Sequence, residues 1–132
     1  MPQSWVFEHP IGALSLSVQH LGTHLLVSIS GGDAPHIGSV VLAEPRPSLS
    51  GAGTSATSSV LNRIGHKDEA VARGVAEALT AHLDTVVCCV CGIHKDDATA
   101  DDIAACANLD VQLSASVLER ITTDVAEDLS AD

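Results

Sequence analysis

Aromatic residues are almost missing from this chain: Trp5 and Phe7 are the only two, and there is no tyrosine. The 45% of residues that are apolar must therefore build an aliphatic core, and aromatic cages are not to be expected. Basic residues are also scarce, 6 against 17 acidic ones, which leaves a net charge of −11. That field repels polyanions, and no local basic stripe offsets it, so nucleic acid is excluded as a partner class. No apolar run approaches the roughly 20 residues of a bilayer span. The opening MPQSWVFEHP carries neither a charged leader nor an apolar stretch behind it. The expectation is a soluble cytoplasmic protein without a membrane partner.

At 132 residues the chain can bury one real core without disulfides or a structural metal, so a single domain over 1–132 is expected. Cys88, Cys89 and Cys91 share the run TVVCCVCG, and Cys106 sits in a helical pattern. In a reducing compartment these are free thiols. Cys88 points opposite to Cys89 and Cys91 on a strand, so the three cannot converge on one ion and read as core filler. Trp5 reads as a cover over the edge of the core. No GxSxG elbow surrounds the serines at 55–59, which fit solvent-facing strand positions.

Alternation of Leu14, Leu16 and Val18 with Ser15, Ser17 and Gln19 predicts a half-buried strand over residues 12–20. A turn at 21–23 leads to a second strand at 24–30 and a break at 31–35 to a third at 37–43, the three forming an antiparallel meander. Residues 44–53, EPRPSLSGAG, read as a flexible loop. A fourth strand follows at about 54–64. Val71, Val75, Leu79 and Leu83 then mark an amphipathic helix with Asp68 and Glu69 in its first turn. Residues 85–91 have the continuous apolar pattern of a central strand buried on both faces. Thr99 and Asp102 resemble a capping box, a last helix follows, and residues 127–132 form a fraying acidic tail. The fold class is α/β in the α+β sense: a single-domain sandwich with a mainly antiparallel mixed sheet of about five strands and two to three helices, mostly on one face.

Alternating strand direction brings three loops to one edge of that sheet, and with them His36, His66 and His94. His20, His24 and His82 fall at the opposite edge, and His9 precedes the first strand. Three imidazoles suffice for a divalent first-row metal, with Asp33, Asp68, Asp96 and Asp97 near enough in sequence to ligate or to orient the rings. The same histidines also read as ordinary solvated loop residues. Gly31 and Gly32 allow close backbone approach, Gly65 opens into a helix N-terminus, and Lys67 and Lys95 each follow a histidine, a set suited to phosphate. Solvated lysines remain the plain alternative.

The segments SISGGDAPHIGSVVLA (28–43), IGHKDEAVARGVAEAL (64–79) and VVCCVCGIHKDD (86–97) together resemble the LpdD-like family. This is the small D subunit encoded with gallate-type decarboxylases, described as a prenylated-flavin chaperone. The likeness lies in GG-x-x-PHIG, GHK-acid and GIH in that order, across most of the chain. The family has plain aliphatics at the places of Cys88, Cys89 and Cys91. The resemblance implies a non-catalytic accessory protein and homodimer that binds reduced prenylated FMN for a partner prenyl-flavin-dependent decarboxylase. Its cofactor-binding residues would be Gly31, Gly32, His36, Gly65, His66, Lys67, Gly92, His94 and Lys95, with His36, His66 and His94 on a divalent metal. The rival readings are a small metal-dependent enzyme with Asp96 or Asp97 as base, and a structural subunit of a decarboxylase complex.

Overall fold

The structure, a computed structural model, describes residues 3–63 and 68–131, with the side chains beyond residue 122 outside that description. The elements are β1 (Gln3–His9), β2 (Gly12–Leu21), β3 (His24–Gly32), β4 (Ser39–Pro47), β5 (Thr54–Asn62), α1 (Glu69–Leu83), β6 (Val87–His94), α2 (Ala100–Ala105) and α3 (Leu109–Ala131). The strands form one mixed sheet in the order β1-β2-β3-β6-β4-β5, with β3 and β6 parallel and the other pairs antiparallel. No helix among the described residues is long and apolar enough to cross a membrane.

Alternation decides which side of the sheet is covered. Leu14, Leu16 and Val18 on β2, Leu25, Val27 and Ile29 on β3, Cys89 and Cys91 on β6, and Val41 and Ala43 on β4 all face one way and are buried. Onto them pack Val75, Ala76 and Leu79 of α1 and Leu109, Leu113 and Val117 of α3. One polar group in this layer is satisfied directly, since Thr80 donates from Oγ1 to the Ala43 carbonyl at 3.3 Å. Trp5 covers the edge of the core as expected, its indole N–H donating to Ser116 at 3.0 Å beneath the Arg120 guanidinium. Burial pushes the Cys89 and Cys91 thiols far above their ordinary range, which suits their role as small apolar filler.

Four expectations need correction. The three early strands do not form a meander, because β6 inserts between β3 and β4. Its apolar run needs a neighbour on each side, and the 33–38 link is long enough to let β4 step across. Residues 3–9 add a strand, making six, because β1 pairs along its whole length with residues 12–18 of β2 despite its mixed pattern. β4 continues through Pro47 instead of ending at 43. Its pairing with β6 stops at Ala43, so Pro45 and Pro47 lie where β4 has β5 as its ladder partner and a missing N–H is tolerated. Finally, β6 is covered on one side only: Cys88 and Val90 remain part-exposed on the face opposite the helices.

The capping box at Thr99 and Asp102 is formed, each residue bonding the other's backbone N–H. The Thr99 N–H holds the Asp102 carboxyl below its usual value. The acidic end continues α3 as far as Ala131.

Leu79 has no exposed surface, whereas Leu49 is 93% exposed. Leu79→Ala is expected to lower stability by about 2–5 kcal/mol. Leu49→Ala should stay within about 0.5 kcal/mol of the parent. Urea unfolding midpoints check both.

Candidate functional site

Parallel pairing of β3 with β6 brings their C-terminal ends to one edge, where Gly32 lies opposite His94. The N-terminal end of β4 and the C-terminal end of β5 reach the same edge, Ser39 facing Cys91 on one side and Asn62 on the other. The 33–38 link runs along the end of β6, tied by the Gly38 N–H to the Cys91 carbonyl at 3.0 Å and the Asp33 N–H to the His94 carbonyl at 2.6 Å. Two glycines make this approach possible. A β-carbon on Gly92 would enter the His36 carbonyl, and one on Gly32, whose φ is +75°, would enter the His94 carbonyl. Gly31 is likewise packed, against the backbone of Ala13 and Leu14.

Asp68 organises the edge. It stands at the N-cap of α1, where a carboxylate ordinarily accepts from the helix's own free N–H groups, yet it makes no such bond. Instead Oδ1 accepts from the Ile93 N–H at 3.0 Å and Oδ2 meets His36 Nε2 at 3.2 Å. Asp68 is only 8% exposed, so its charge is held by these partners rather than by water. The helix thus forgoes its side-chain cap, and its nearly buried carboxylate is turned to a histidine and to the end of β6, a departure from local preference of the kind found at functional sites. The other ring nitrogen of His36, Nδ1, meets the Ala34 carbonyl at 2.9 Å.

His94 is tethered differently. Its Nε2 meets Asp96 Oδ1 at 2.9 Å in an exposed pair, and the Asp96 N–H donates to Asp33 Oδ2 at 2.8 Å. His36, Asp68, His94 and Lys95 line one cleft of about 440 Å³, within the range of small-molecule sites. Its other wall is apolar: Ile11, Val71, Ile93, Ile103, Cys106 and Leu109. Ile103 of α2 is 67% exposed although it borders this wall. The last turn of α2 is held by His9, whose Nε2 meets the Ala105 carbonyl at 3.1 Å while Nδ1 accepts from the Ile11 N–H at 3.3 Å.

The structure therefore brings together His36, His94 and Lys95 of the residues expected from sequence. Gly31 and Gly32 end β3 and Gly92 lies in β6, shaping the edge by close backbone packing. Gly65, His66 and Lys67 lie outside the described residues. Among the described residues no group of three or more His, Cys, Asp or Glu is arranged to hold a metal ion. The carboxylates expected to orient the rings include Asp68 and Asp96, and each stands against one; sequence reasoning missed the apolar wall, whose residues are scattered over five segments, and the bond that Asp68 accepts from the Ile93 N–H. The signal for the latter was an acidic residue directly after GHK, opening a helix.

Asp68→Ala removes the acceptor of the part-buried Ile93 N–H and is expected to cost about 1–3 kcal/mol. It should also speed hydrogen exchange at the Ile93 amide. Asp68→Asn keeps an acceptor there and should leave that amide protected, which exchange monitored by NMR would read.

None of the curated proteins matches the chain. Its fold is similar to that of a chain in the "Crystal Structure of a Novel Chaperone Complex for Yeast 20S Proteasome Assembly". That match has a TM-score of 0.59 and 10% identity over 93% of this chain and 95% of that one, a likeness of fold alone. Residues 10–122 of the 132 match the model of the prenylated flavin chaperone LpdD-like domain, and the chain belongs to that family.

Proposed function

We propose that this chain is a non-catalytic accessory protein that binds reduced prenylated FMN in the cleft at the sheet edge. It would carry or protect the cofactor for a partner prenyl-flavin-dependent decarboxylase. The observation that carries this reading is the cleft's division into an apolar wall and a polar rim. Ile11, Val71, Ile93, Ile103 and Leu109 suit the flat ring system and its prenyl-derived part, and Lys95 at the rim suits the phosphate. Lys67 and the Gly65 amide, which precede α1 in the sequence, would complete the phosphate contacts. Gly31, Gly32 and Gly92 contribute by keeping the edge closely packed, so that His36 and His94 border one space.

A divalent metal is the second part of the proposal. His36, His66 and His94 would be its ligands, and the ion would bridge the protein to an anionic part of the cofactor. The donor set is chemically suitable, and carboxylates already stand beside two of the rings, as is usual for ligating histidines. Both ring nitrogens of His36 already have partners, so binding would require one of them to exchange its partner for the ion.

Anaerobic titration with reduced prenylated FMN tests the cleft. Ile103→Asp is expected to weaken binding by about tenfold or more, because a carboxylate replaces apolar surface against the ring. Leu49→Asp, on the far turn, should bind as the parent does. Undiminished binding by Ile103→Asp would move the site elsewhere. Elemental analysis with native mass spectrometry tests the metal: the parent is expected to carry it stoichiometrically, and His94→Ala to lose it. A metal-free parent would remove the ion from the proposal and leave the flavin part to stand on the titration.

A further inference from the structure

The two outer strands of the sheet are not alike. β1 is seven residues long, carries Glu8, and sends Trp5 and His9 to Ser116 and Ala105. β5 has β4 on one side and no strand among the described residues on the other. Its nine residues, TSATSSVLN, pair with β4 one for one, without a bulge, and include neither a charge nor a proline. Bulges, charges and prolines are the devices that ordinarily blunt an exposed strand. The direction of the main-chain groups follows from the ladder. One residue beyond the paired strands, the Arg63 N–H donates to the Gly38 carbonyl at 2.9 Å. Antiparallel alternation then turns the main-chain groups of Thr57, Ser59 and Leu61 toward β4 and those of Ala56, Ser58 and Val60 away from it. Pro45 agrees with this parity, since it lies opposite Ala56, where β5 asks β4 for no N–H. No described residue bonds the outward backbone groups of Ala56, Ser58 and Val60.

We infer that the open side of β5 docks an extended segment of a different protein, which adds a strand there and sets a lysine or arginine against Glu77. Additions of this kind take affinity from main-chain bonds and specificity from alternate side chains. Charge selects the occupant. Ser58 donates to Glu77 of α1 at 2.6 Å, so the row Ala56, Ser58 and Val60 lies on the helix side with a carboxylate at its middle. The row on the other side, Ser55, Thr57 and Ser59, is uncharged. Glu69, further along α1, is paired with Arg73, whereas the partner of Glu77 is a neutral hydroxyl. A cation on the incoming strand completes that pair. A second copy of this chain does not fit: β5 laid antiparallel on β5 about Ser58 would bring the two Glu77 carboxylates face to face, in chains that each carry −11. β5 finishes at the end of the sheet that carries the cleft, where Asn62 lies opposite Ser39. A segment docked along it therefore leads its own chain to that end.

The test titrates the full chain by NMR with the capped peptide Thr-Val-Thr-Lys-Thr-Val-Thr, and with its counterpart carrying glutamate at the centre. No flavin is present, so the result is separate from that of the cofactor titration. The lysine peptide is expected to shift and protect the amides of Ala56, Ser58 and Val60, and to bind about fivefold more tightly than the glutamate peptide. Ala56→Pro removes one outward N–H at a position where an outer strand tolerates proline, and should weaken binding by about tenfold with the circular dichroism of the parent. Glu77→Gln keeps an acceptor for Ser58 and should abolish the preference between the peptides, which decides the matter should Ala56→Pro fail to fold. Silence of the three β5 amides with both peptides, equal affinity for the two, or a preference that survives Glu77→Gln would overturn the inference. So would amide shifts that follow protein concentration without peptide, which would make the occupant a second copy.

Discussion

The parallel pairing of β3 with β6 is the constraint on which the rest of this structure depends. It requires a crossing connection, which the β4–β5 hairpin and α1 supply together, and it sends the ends of both strands to one edge. Gly32 can lie opposite His94 at that edge because it has no side chain to enter the His94 carbonyl. The 33–38 link then lies along β6, close enough for the His36 carbonyl to fill the space a Gly92 side chain would need. Only with the link in that place does the Asp68 carboxylate reach both the Ile93 N–H and the His36 ring. Pairing, glycine packing and the diverted N-cap are one arrangement, and the cleft is its consequence.

Stability and site are kept on different parts of the same elements. The aliphatic layer under α1 and α3 is closed, and its buried polar side chains among the described residues all have partners. The cleft begins where that layer ends, at the last residues of β6 and the first turn of α1. α2 illustrates the division well: its start is fixed by a capping box and its end by His9, yet none of its residues is buried. It is a wall anchored at both ends rather than a part of the core.

Strand alternation in β2 and β3, the amphipathic stripe of α1 and the apolar run of β6 were all legible from residue pattern, since each depends on local periodicity. So was the gathering of His36 and His94, which required only the direction in which each element runs. What the pattern could not supply was neighbour order. Nothing local to β6 states that it inserts between β3 and β4, because that choice is made by the sheet as a whole. The prolines at 45 and 47 misled for the same reason: their cost depends on whether a ladder partner needs their N–H, which is a property of the neighbouring strand. The apolar wall escaped because Ile11, Val71, Ile93, Ile103 and Leu109 belong to five segments that share no period.

Charge gives the cleft a direction of transfer on the reading proposed for it. With 17 acidic residues against 6 basic, and with Asp68 and Asp102 among its lining, the field at the cleft opposes a phosphate-bearing ligand, and Lys95 offsets it only locally. Binding must then draw on apolar burial, worth about 25 cal/mol per Å² and indifferent to charge. On that reading the ring system would supply most of the affinity, and the few phosphate contacts would work against the field. An enzyme pocket that added basic groups around that phosphate would bind the same ligand more tightly. On the proposed reading the cofactor would then pass downhill from the accessory protein to such a pocket, and its transfer would need no further driving force.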